Sequence, residues 1–428
     1  MAHGIRGREG VCITGLCNPV ITVVEHLSRI IGTVRRLPPI GLNLLDAQGC
    51  VLAEDMTSEV PLPGFTNSAM DGYAVHAADL AAAGPEAPVT LPVVHDIAAG
   101  NTQALSLAPG QSMRIMTGAP VPHGADAVVP VELTDGGLAK VTFSAPAPVG
   151  MSVRRIGEDV MTGDLVMRSG TRLEPRQIAL LAAVGSGRVP VTPKPRVVVI
   201  STGDELIEPG TRPGFGQVVD SNGLMLTAAV RALDCIPFRV GCVRDDARSF
   251  LATIESQLLR ADAVITTGGV SMGAYDTVKE VLSRVGTMRF DKVAMQPGMP
   301  QGFGVLGEDE IPVFTLPGNP VSAMVSFEVF VAPALRVMAG RLQHESPLVS
   351  AVATHDWRAP AGKVQFARVV LSRSGSGHTV AIAGLQGSHA LGGLAGANAL
   401  AVIPAEVTLV RAGDTVRCHR LGPIVEAS

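Results

Sequence analysis

The chain has 428 residues, 46% of them hydrophobic, and a formal net charge of −4. That length exceeds one typical core and predicts three or four domains, and the apolar fraction excludes a disordered chain. Aromatics at 3% and the lack of a basic run exclude a stacking platform or a polyanion-binding face, so no nucleic-acid partner is expected, only a small anion held by a few placed cations.

The six cysteines form no CxxC pair, which argues against a structural zinc, and their scatter fits a reducing cytoplasm. Residues 1–18 lack the apolar core of a signal peptide and are expected as a loose arm. Pro19–Arg36 carries apolar residues at helical spacing (Val20, Val23, Val24, Leu27, Ile30, Ile31), and Pro38-Pro39 stop it. Leu42–Leu52 is a short apolar segment turning at Gln48-Gly49. At Pro61 the texture changes to PLPGFTNSAMDGYAV, an irregular loop before the strand Tyr73–Val75. Asp71 stands at that strand's entrance, where an Asx turn and a ligand role are equally compatible with the local sequence. Short Val/Leu segments with Gly and Pro turns continue to about residue 150, the pattern of a small barrel or sandwich, with a glycine turn at Met116–Pro120.

Arg154 and Arg155 lie beside Glu158 and Asp159; a solvated surface pair is the plain expectation, a ligand-facing crossover the alternative. Leu173–Gly185 reads as a helix with Pro175 near its start and Gly185 as its cap. This helix and the amino-terminal one flank the β-rich stretch. The expected organisation is therefore a discontinuous helix-containing domain, 19–60 and 157–193, with a β-rich domain, 61–156, inserted.

From Lys194 strands (196–201, 237–243, 262–267, 311–316) alternate with helices (221–233, 245–259, 276–285, 319–339), which implies parallel strands with helical crossovers and an α/β domain over 194–342. Gly/Pro turns flank a β-like pair at 303–314. Asp245-Asp246 begin a helix, so at least one is expected as its N-cap, and capping is also the main competitor for a site role of Asp276. Val321–Gly340 is the longest apolar stretch; Glu328 interrupts it and Pro333 breaks it, so a buried helix is expected and no membrane partner. A last β-rich domain, 343–428, includes Gly387-Ser388-His389 and Gly392–Gly396 as turns, with His389 expected as an ordinary surface histidine.

Three strand ends carry polar glycine loops: Ser201-Thr202-Gly203-Asp204-Glu205, then Thr266-Thr267-Gly268-Gly269 running on to Ser271, and Leu316-Pro317-Gly318-Asn319-Pro320. In an open α/β sheet, ligands bind outside the carboxyl ends of the strands, so the three loops are expected to converge on one crevice. Asp71, Glu205, Asp245 and Asp276 are acids at loops or helix starts; carboxylates there would attract Mg²⁺, which needs only one or two of them plus phosphate oxygens. Lys292, Arg154 and Arg155 are candidate anion holders. No GxxxxGK[ST], first-turn GxGxxG, GxSxG or Cys/His arrangement is present. The residues alone reach a multidomain α/β protein with a metal-assisted site for a phosphate-bearing ligand.

NSAMDGYAV (67–75), TGAPVPHGADAVV (117–129), RRIGED (154–159), STGDEL (201–206), TTGGVSMG (266–273) and LPGNPVS (316–322) together resemble the MoeA family, in order over residues 19–425. Its members are molybdopterin molybdenumtransferases, and the carboxyl-terminal domain of gephyrin is similar. The resemblance implies an elongated homodimer of four-domain subunits with an α/β molybdopterin-binding domain and a cleft to which the partner subunit contributes. It implies adenylylated molybdopterin and molybdate as substrates, release of AMP, Mg²⁺ as helper, and an upstream molybdopterin adenylyltransferase as a partner. Carried over by motif, Asp71, Glu205 and Asp276 are the catalytic candidates, the last two for metal, with Thr117 reaching the site beside Asp71. Substrate contacts are implied for Ser201, Thr202, Gly203, Asp245, Gly268, Gly269, Ser271, Pro317, Gly318, Asn319 and Pro320, for Lys292, Arg154 and Arg155, and for Arg368 and Ser388 in the last domain. The sequence departs at Gln296-Pro297-Gly298-Met299-Pro300, where the family often has KPGKP, and at Gly392-Gly393, where some relatives have serines. The competing expectation is a gephyrin-like scaffold, or a cofactor-binding protein, that has lost turnover; the retained acids favour the enzyme.

Overall fold

A run of branched apolar residues with no polar alternation is the signature of a strand buried on both faces, and Arg196–Thr202 (β1) is such a run. The computed structural model describes residues 20–244, 246–269, 277–284, 286–375 and 377–426. Two compact units emerge, one built from the chain up to Pro38 together with everything from Thr192 onward, the other from Pro39–Val191.

In the first unit β1 is followed by helix α1 (Asn222–Ala232), β2 (Ile236–Val243), α2 (Ala247–Leu258), β3 (Ala263–Thr267), α3 (Thr277–Arg284), β4 (Arg289–Val293), β5 (Pro300–Leu306) and β6 (Ile311–Leu316). The sheet order is Val20–Ile21, β4, β5, β6, β3, β1, β2. β2, β1, β3 and β6 run parallel, as the alternation of strand and helix predicts, whereas β5 is antiparallel to both β4 and β6, closing the expected hairpin. Alternation along β1 feeds two cores. Val197 and Val199 join Leu226 and Val230 of α1, while Val198 and Ile200 join Phe250 and Ile254 of α2 and Val278 and Leu282 of α3. Asp246 is the N-cap of α2, its side chain accepting from the Ser249 N–H at 2.9 Å; Asp245 and Asp276 lie outside the described residues.

The long apolar helix α4 spans Pro320–Met338 and is the one described helix long and apolar enough to cross a membrane; 72% of that window is buried within the protein. Pro333 does not break it. A π-helical turn at Phe327–Val331 precedes Pro333, and such a turn absorbs the missing N–H and the clash of the ring with the preceding turn. Glu328 on that turn is matched by His419, Nε2 to Oε2 at 2.9 Å.

The amino-terminal helix Val23–Thr33 forms as its spacing predicts, with a Thr22/Glu25 capping box. It does not join Pro175–Ala183 in a shared domain: Ile30 and Val34 belong to the α/β core, and Val20–Ile21 adds a strand to β4. The remainder of this unit is β-rich. Val364–Ser374 pairs with both Gly377–Ile382 and Ala399–Ile403, and the path through Val349–Ala353 and Thr415–Arg420 closes a barrel. Gly392-Gly393, expected in a turn, lie instead in the short helix Leu391–Ala395. Glycine's poor helix propensity hides it, yet a Cβ at Gly393 would sit 2.9 Å from the carbonyls of Ala383 and Leu385, so only glycine lets the helix pack there.

In the second unit, a five-stranded sheet (Lys140–Phe143, Val89–Ile97, Ser112–Ile115, Gly72–Val75, Ala127–Pro130) covers the stretch expected to be β-rich. A three-stranded sheet (Ile40–Asn43, Arg188–Thr192, Val51–Leu52) packs with Pro175–Ala183 around Leu52, Leu173, Leu181 and Val189.

Behind β4, the Asp291 carboxylate is buried, ion-paired to Arg29, with His26 Nδ1 at 3.6 Å. The His26 imidazole and the Arg29 guanidinium hold its pKa below the usual range against the opposing effect of burial. A depressed folded-state pKa means stability that is present above the unfolded value of about 3.9 and lost as pH falls through the folded one. Asp291→Asn is therefore expected to destabilise the protein at pH 7, by about 3 kcal/mol if it behaves as a broken buried ion pair, and by less at pH 3, measured by urea unfolding at both pH values.

Candidate functional site

The carboxyl ends of β1, β3 and β6 are neighbours in the sheet, and the chain reverses its order around β1, with β2 on one side and β3 on the other. That is the place where an open α/β sheet leaves a crevice. Here the crevice is a cleft of about 530 Å³ lined by the strand-end loops (Thr202 and Glu205; Thr267 and Gly268; Gly318, Asn319 and Pro320), by Leu206 and Val218–Asn222, and by His389 and Leu391.

Short backbone distances join the loops. Gly268 has φ of +94°, and a Cβ there would lie 2.4 Å from the Thr202 carbonyl oxygen, so a larger residue would force the two strand ends apart. The Gly268 N–H donates to the Leu316 carbonyl at 3.2 Å, and the Thr267 hydroxyl to the Pro317 carbonyl at 3.2 Å. Asn222, at the start of α1, donates from Nδ2 to Thr267 Oγ1 at 2.9 Å and to the Gly318 carbonyl at 2.7 Å. Three loops distant in sequence are thus one rigid rim.

Of the residues singled out in the sequence, Thr202, Glu205, Gly268, Gly318, Asn319 and Pro320 line this cleft. Ser201 is buried behind it with its hydroxyl unpartnered, Pro317 is buried with its carbonyl accepting from Thr267, and Gly203 and Gly269 are in the loops themselves. Ser388 Oγ accepts from Asn319 Nδ2 at 3.1 Å and helps wall a second cavity of about 220 Å³, formed by Met295–Met299, Ser322, Lys363 and Gln386–Ser388. Arg368 is fully buried close by, its Nη2 donating to the Leu385 and Gly387 carbonyls. Lys292 lies on β4, outside the lining of either cavity. Ser271, Asp245 and Asp276 lie outside the described residues.

Asp71 and Thr117 meet in the second unit. Asp71 Oδ1 accepts from the Thr117 N–H at 2.7 Å and the Thr117 hydroxyl at 2.8 Å, so the carboxylate serves a distant loop rather than an Asx turn into its own strand. These two bonds, the backbone one first, hold its pKa below the usual range, and the carboxylate stays anionic and exposed. Arg154 and Arg155 are exposed, and no ion pair of theirs with Glu158 or Asp159 is found among the described residues; Glu158 instead accepts from the Arg155 backbone N–H at 2.8 Å.

Sequence reasoning missed four residues. Asp220, 1% exposed, accepts from the Gly223 N–H at 2.9 Å and from Arg239 Nη2 at 2.8 Å, and Arg239 also clasps Glu208 with both terminal nitrogens. Glu208, then Asp220, hold Arg239 firmly charged against its burial, and Arg239 depresses the pKa of Glu208. Burial, followed by those acids, raises the neighbouring Cys242 thiol to about 11, so it is held as a thiol rather than a thiolate. The fourth, Asn222, carried a local signal in Asp220-Ser221-Asn222 at a helix start, but its bridging role depends on β3 and on the loop after β6. His389, expected as ordinary surface, is exposed and lines the cleft.

Among the described residues no group of three or more His, Cys, Asp or Glu could cage a metal. Among the described residues lining the cleft, Asp220 is committed to Arg239 and Gly223, which leaves Glu205 as the carboxylate available to a cation. One carboxylate suits Mg²⁺ bound chiefly by phosphate oxygens and water, and suits no all-protein site.

Comparison with known proteins finds three family models along the chain: MoeA N-terminal region (domain I and II) over residues 21–185, probable molybdopterin binding domain over 198–337, and MoeA C-terminal region (domain IV) over 350–421. A Mycobacterium tuberculosis protein named molybdopterin molybdenumtransferase 2 is 46% identical over 402 residues, covering 92% of this chain and 98% of that one. A Haemophilus influenzae protein named molybdopterin molybdenumtransferase is 38% identical, covering 88% and 92%. Among solved structures, the molybdopterin biosynthesis MoeA protein of Pyrococcus horikoshii superposes with a TM-score of 0.78 at 31% identity, over 95% of this chain and 100% of that one.

Thr117→Val removes one of the two donors that depress the Asp71 pKa. The Asp71 pKa is expected to rise toward the ordinary value near 3.9 without reaching it, since the backbone donor remains. Carboxyl ¹³C NMR titration checks this; an unchanged pKa would show the hydroxyl bond to be idle in solution.

Proposed function

The chain belongs to the MoeA family, and from that premise we propose that it inserts molybdenum during molybdenum cofactor biosynthesis, acting as a molybdopterin molybdenumtransferase. It takes adenylylated molybdopterin and molybdate, cleaves the phosphoanhydride with release of AMP, and leaves molybdenum on the dithiolene sulfurs. The observation that carries this reading is the adjacency of two cavities of unequal size. The 530 Å³ cleft suits an extended pterin nucleotide, the 220 Å³ cavity suits a small oxyanion, and the Asn319–Ser388 hydrogen bond forms part of their common wall.

In this reading the phosphoanhydride lies across the rim made by Thr202, Gly268 and Gly318. The rim is fixed before substrate arrives, so dipoles aimed at the phosphates need no reorganisation as negative charge shifts to departing AMP. Glu205, with Asp276, would hold Mg²⁺, which supplies charge neutralisation on the phosphate oxygens. Asn319 and Ser388 orient the pterin end toward the oxyanion cavity. Asp71, kept anionic by Thr117, and Arg154 and Arg155 are kept as substrate-contact candidates on their motif match alone. Lys292 is kept as an anion holder on its motif match alone. A homodimer, delivery of substrate by an upstream adenylyltransferase, and a cytoplasmic site of action belong to the same reading and rest on the family resemblance.

Glu205→Gln and Asp276→Ala are expected to retain the wild-type circular dichroism and melting temperature while lowering AMP release from adenylylated molybdopterin at least about 100-fold, the usual size of effect when charge stabilisation at the reacting centre is lost. Wild-type turnover in either variant would remove that acid from the site.

A further inference from the structure

The larger cleft is short of positive charge. Three of its described lining residues are ionisable, Glu205, Asp220 and His389, and no lysine or arginine is among them. Asp220 is already paired with Arg239. An entering phosphoanhydride therefore meets the Glu205 carboxylate and one side chain able to offset it. A phosphate beside a carboxylate is repelled, and histidine is the side chain that gains or loses its charge near neutral pH.

The backbone of His389 is fixed although its ring is exposed. The Val321 N–H at the start of α4 donates to the Ser388 carbonyl at 3.1 Å, and Asn319 Nδ2 donates to Ser388 Oγ at 3.1 Å. Asn319 and Pro320 directly follow Gly318, so the residue after Ser388 is tied to a strand-end loop of the rim. On its other side the His389 carbonyl accepts from the Leu391 N–H at 3.0 Å, and the Gly387 carbonyl from the Ala390 N–H at 3.1 Å. The ring lies back over Gly387, where a Cβ would come within 2.8 Å of its Cε1 and 3.2 Å of its Nδ1, so the missing side chain at 387 seats the imidazole. The ring has no hydrogen bond or ion pair among the described residues. The charged groups around it are Glu205 and the Asp220–Arg239 pair at the cleft, and Arg368 behind the loop, whose Nη2 donates to the Gly387 carbonyl at 3.2 Å. A pinned backbone that presents an uncommitted imidazole to a cleft otherwise lined by acids is an arrangement for binding an anion.

We propose that His389 is a phosphate-binding residue of this cleft: its imidazole becomes protonated as the ligand enters and donates to the phosphoanhydride oxygens of adenylylated molybdopterin, then to the phosphate of AMP. The inference rests on the functional reading above and deepens it, because the nucleotide cleft of the α/β domain then takes its side-chain cation from the barrel domain. A hydrogen bond between two charged groups is shorter and about twice as strong as a neutral one. The imidazole makes and breaks no bond to phosphorus; its part is charge and orientation.

The test compares His389→Ala and His389→Lys with the wild-type full-length protein. Calorimetric titrations of AMP and of inorganic pyrophosphate are expected to show both bound about tenfold or more weakly by His389→Ala, the scale of one charge-assisted hydrogen bond, and His389→Lys is expected to recover most of the loss. Repeating the AMP titration at neutral pH in buffers of different ionisation enthalpy counts protons. The wild type is expected to take up more than either variant, since alanine has no site for a proton and lysine already carries one. In AMP-release assays the KM for adenylylated molybdopterin is expected to rise to the same degree in His389→Ala, with the molybdate concentration for half-maximal rate within about twofold of wild type. Loss of AMP affinity with pyrophosphate affinity kept would move the ring to the base and overturn the phosphate assignment. Unchanged affinity for both, or equal proton uptake by wild type and His389→Ala, would overturn it as well and leave the insertase reading intact. Absence of AMP release by the wild type, with AMP and pyrophosphate binding still weakened in His389→Ala, would sink the insertase reading and leave the phosphate contact standing.

Discussion

The structure depends on the approach of three strand ends to within hydrogen-bonding reach of one another. β1 and β3 come so close at Thr202 and Gly268 that no Cβ fits between them. Thr267 and Asn222 then tie both to the loop after β6. Each such bond is worth only about 1 kcal/mol net. Their value lies in rigidity: in the proposed reaction, a rim set by glycine backbone and short side chains would present dipoles already in place to charge developing on a phosphate oxygen. The two apolar cores on either face of β1 hold that rim from beneath.

Charge is sorted around this rim. Asp220 in the wall and Glu208 beyond it are both paired with Arg239, so Asp220 shapes the wall without offering a free carboxylate. Glu205 lies in the same cleft, and its carboxylate has no ion pair among the described residues. Arg368 is the mirror case, a buried cation with no carboxylate among its hydrogen-bond partners in the described residues.

Much of the fold was legible because its signals are local. The strands around Val197–Ile200 and Ala263–Ile265 are unbroken apolar runs, and the glycine loops that follow announce themselves. What escaped depends on contacts between distant segments. The helix Leu391–Ala395 contains two glycines, and only the crowding of Gly393 against Ala383 and Leu385 explains them. The continuity of α4 through Pro333 needs a π turn that no periodicity shows. The amino-terminal helix has the stripe of any amphipathic helix, and the stripe does not say which core it joins. At the site, Glu205, Gly268 and Asn319 were found through their loops, whereas Asn222 acquires meaning only from Thr267 and Gly318, 45 and 96 positions away in the chain, an instance of tertiary contact overriding local pattern.

The central claim is that the two adjacent cavities serve one reaction, in which departure of AMP is coupled to capture of molybdate. The direct measurement is AMP release by the purified wild-type protein from adenylylated molybdopterin in Mg²⁺ buffer, with and without molybdate. Release that requires molybdate and saturates with it is the predicted result. Tight binding of adenylylated molybdopterin with no release under either condition would contradict the account and leave a protein that holds the ligand without transforming it.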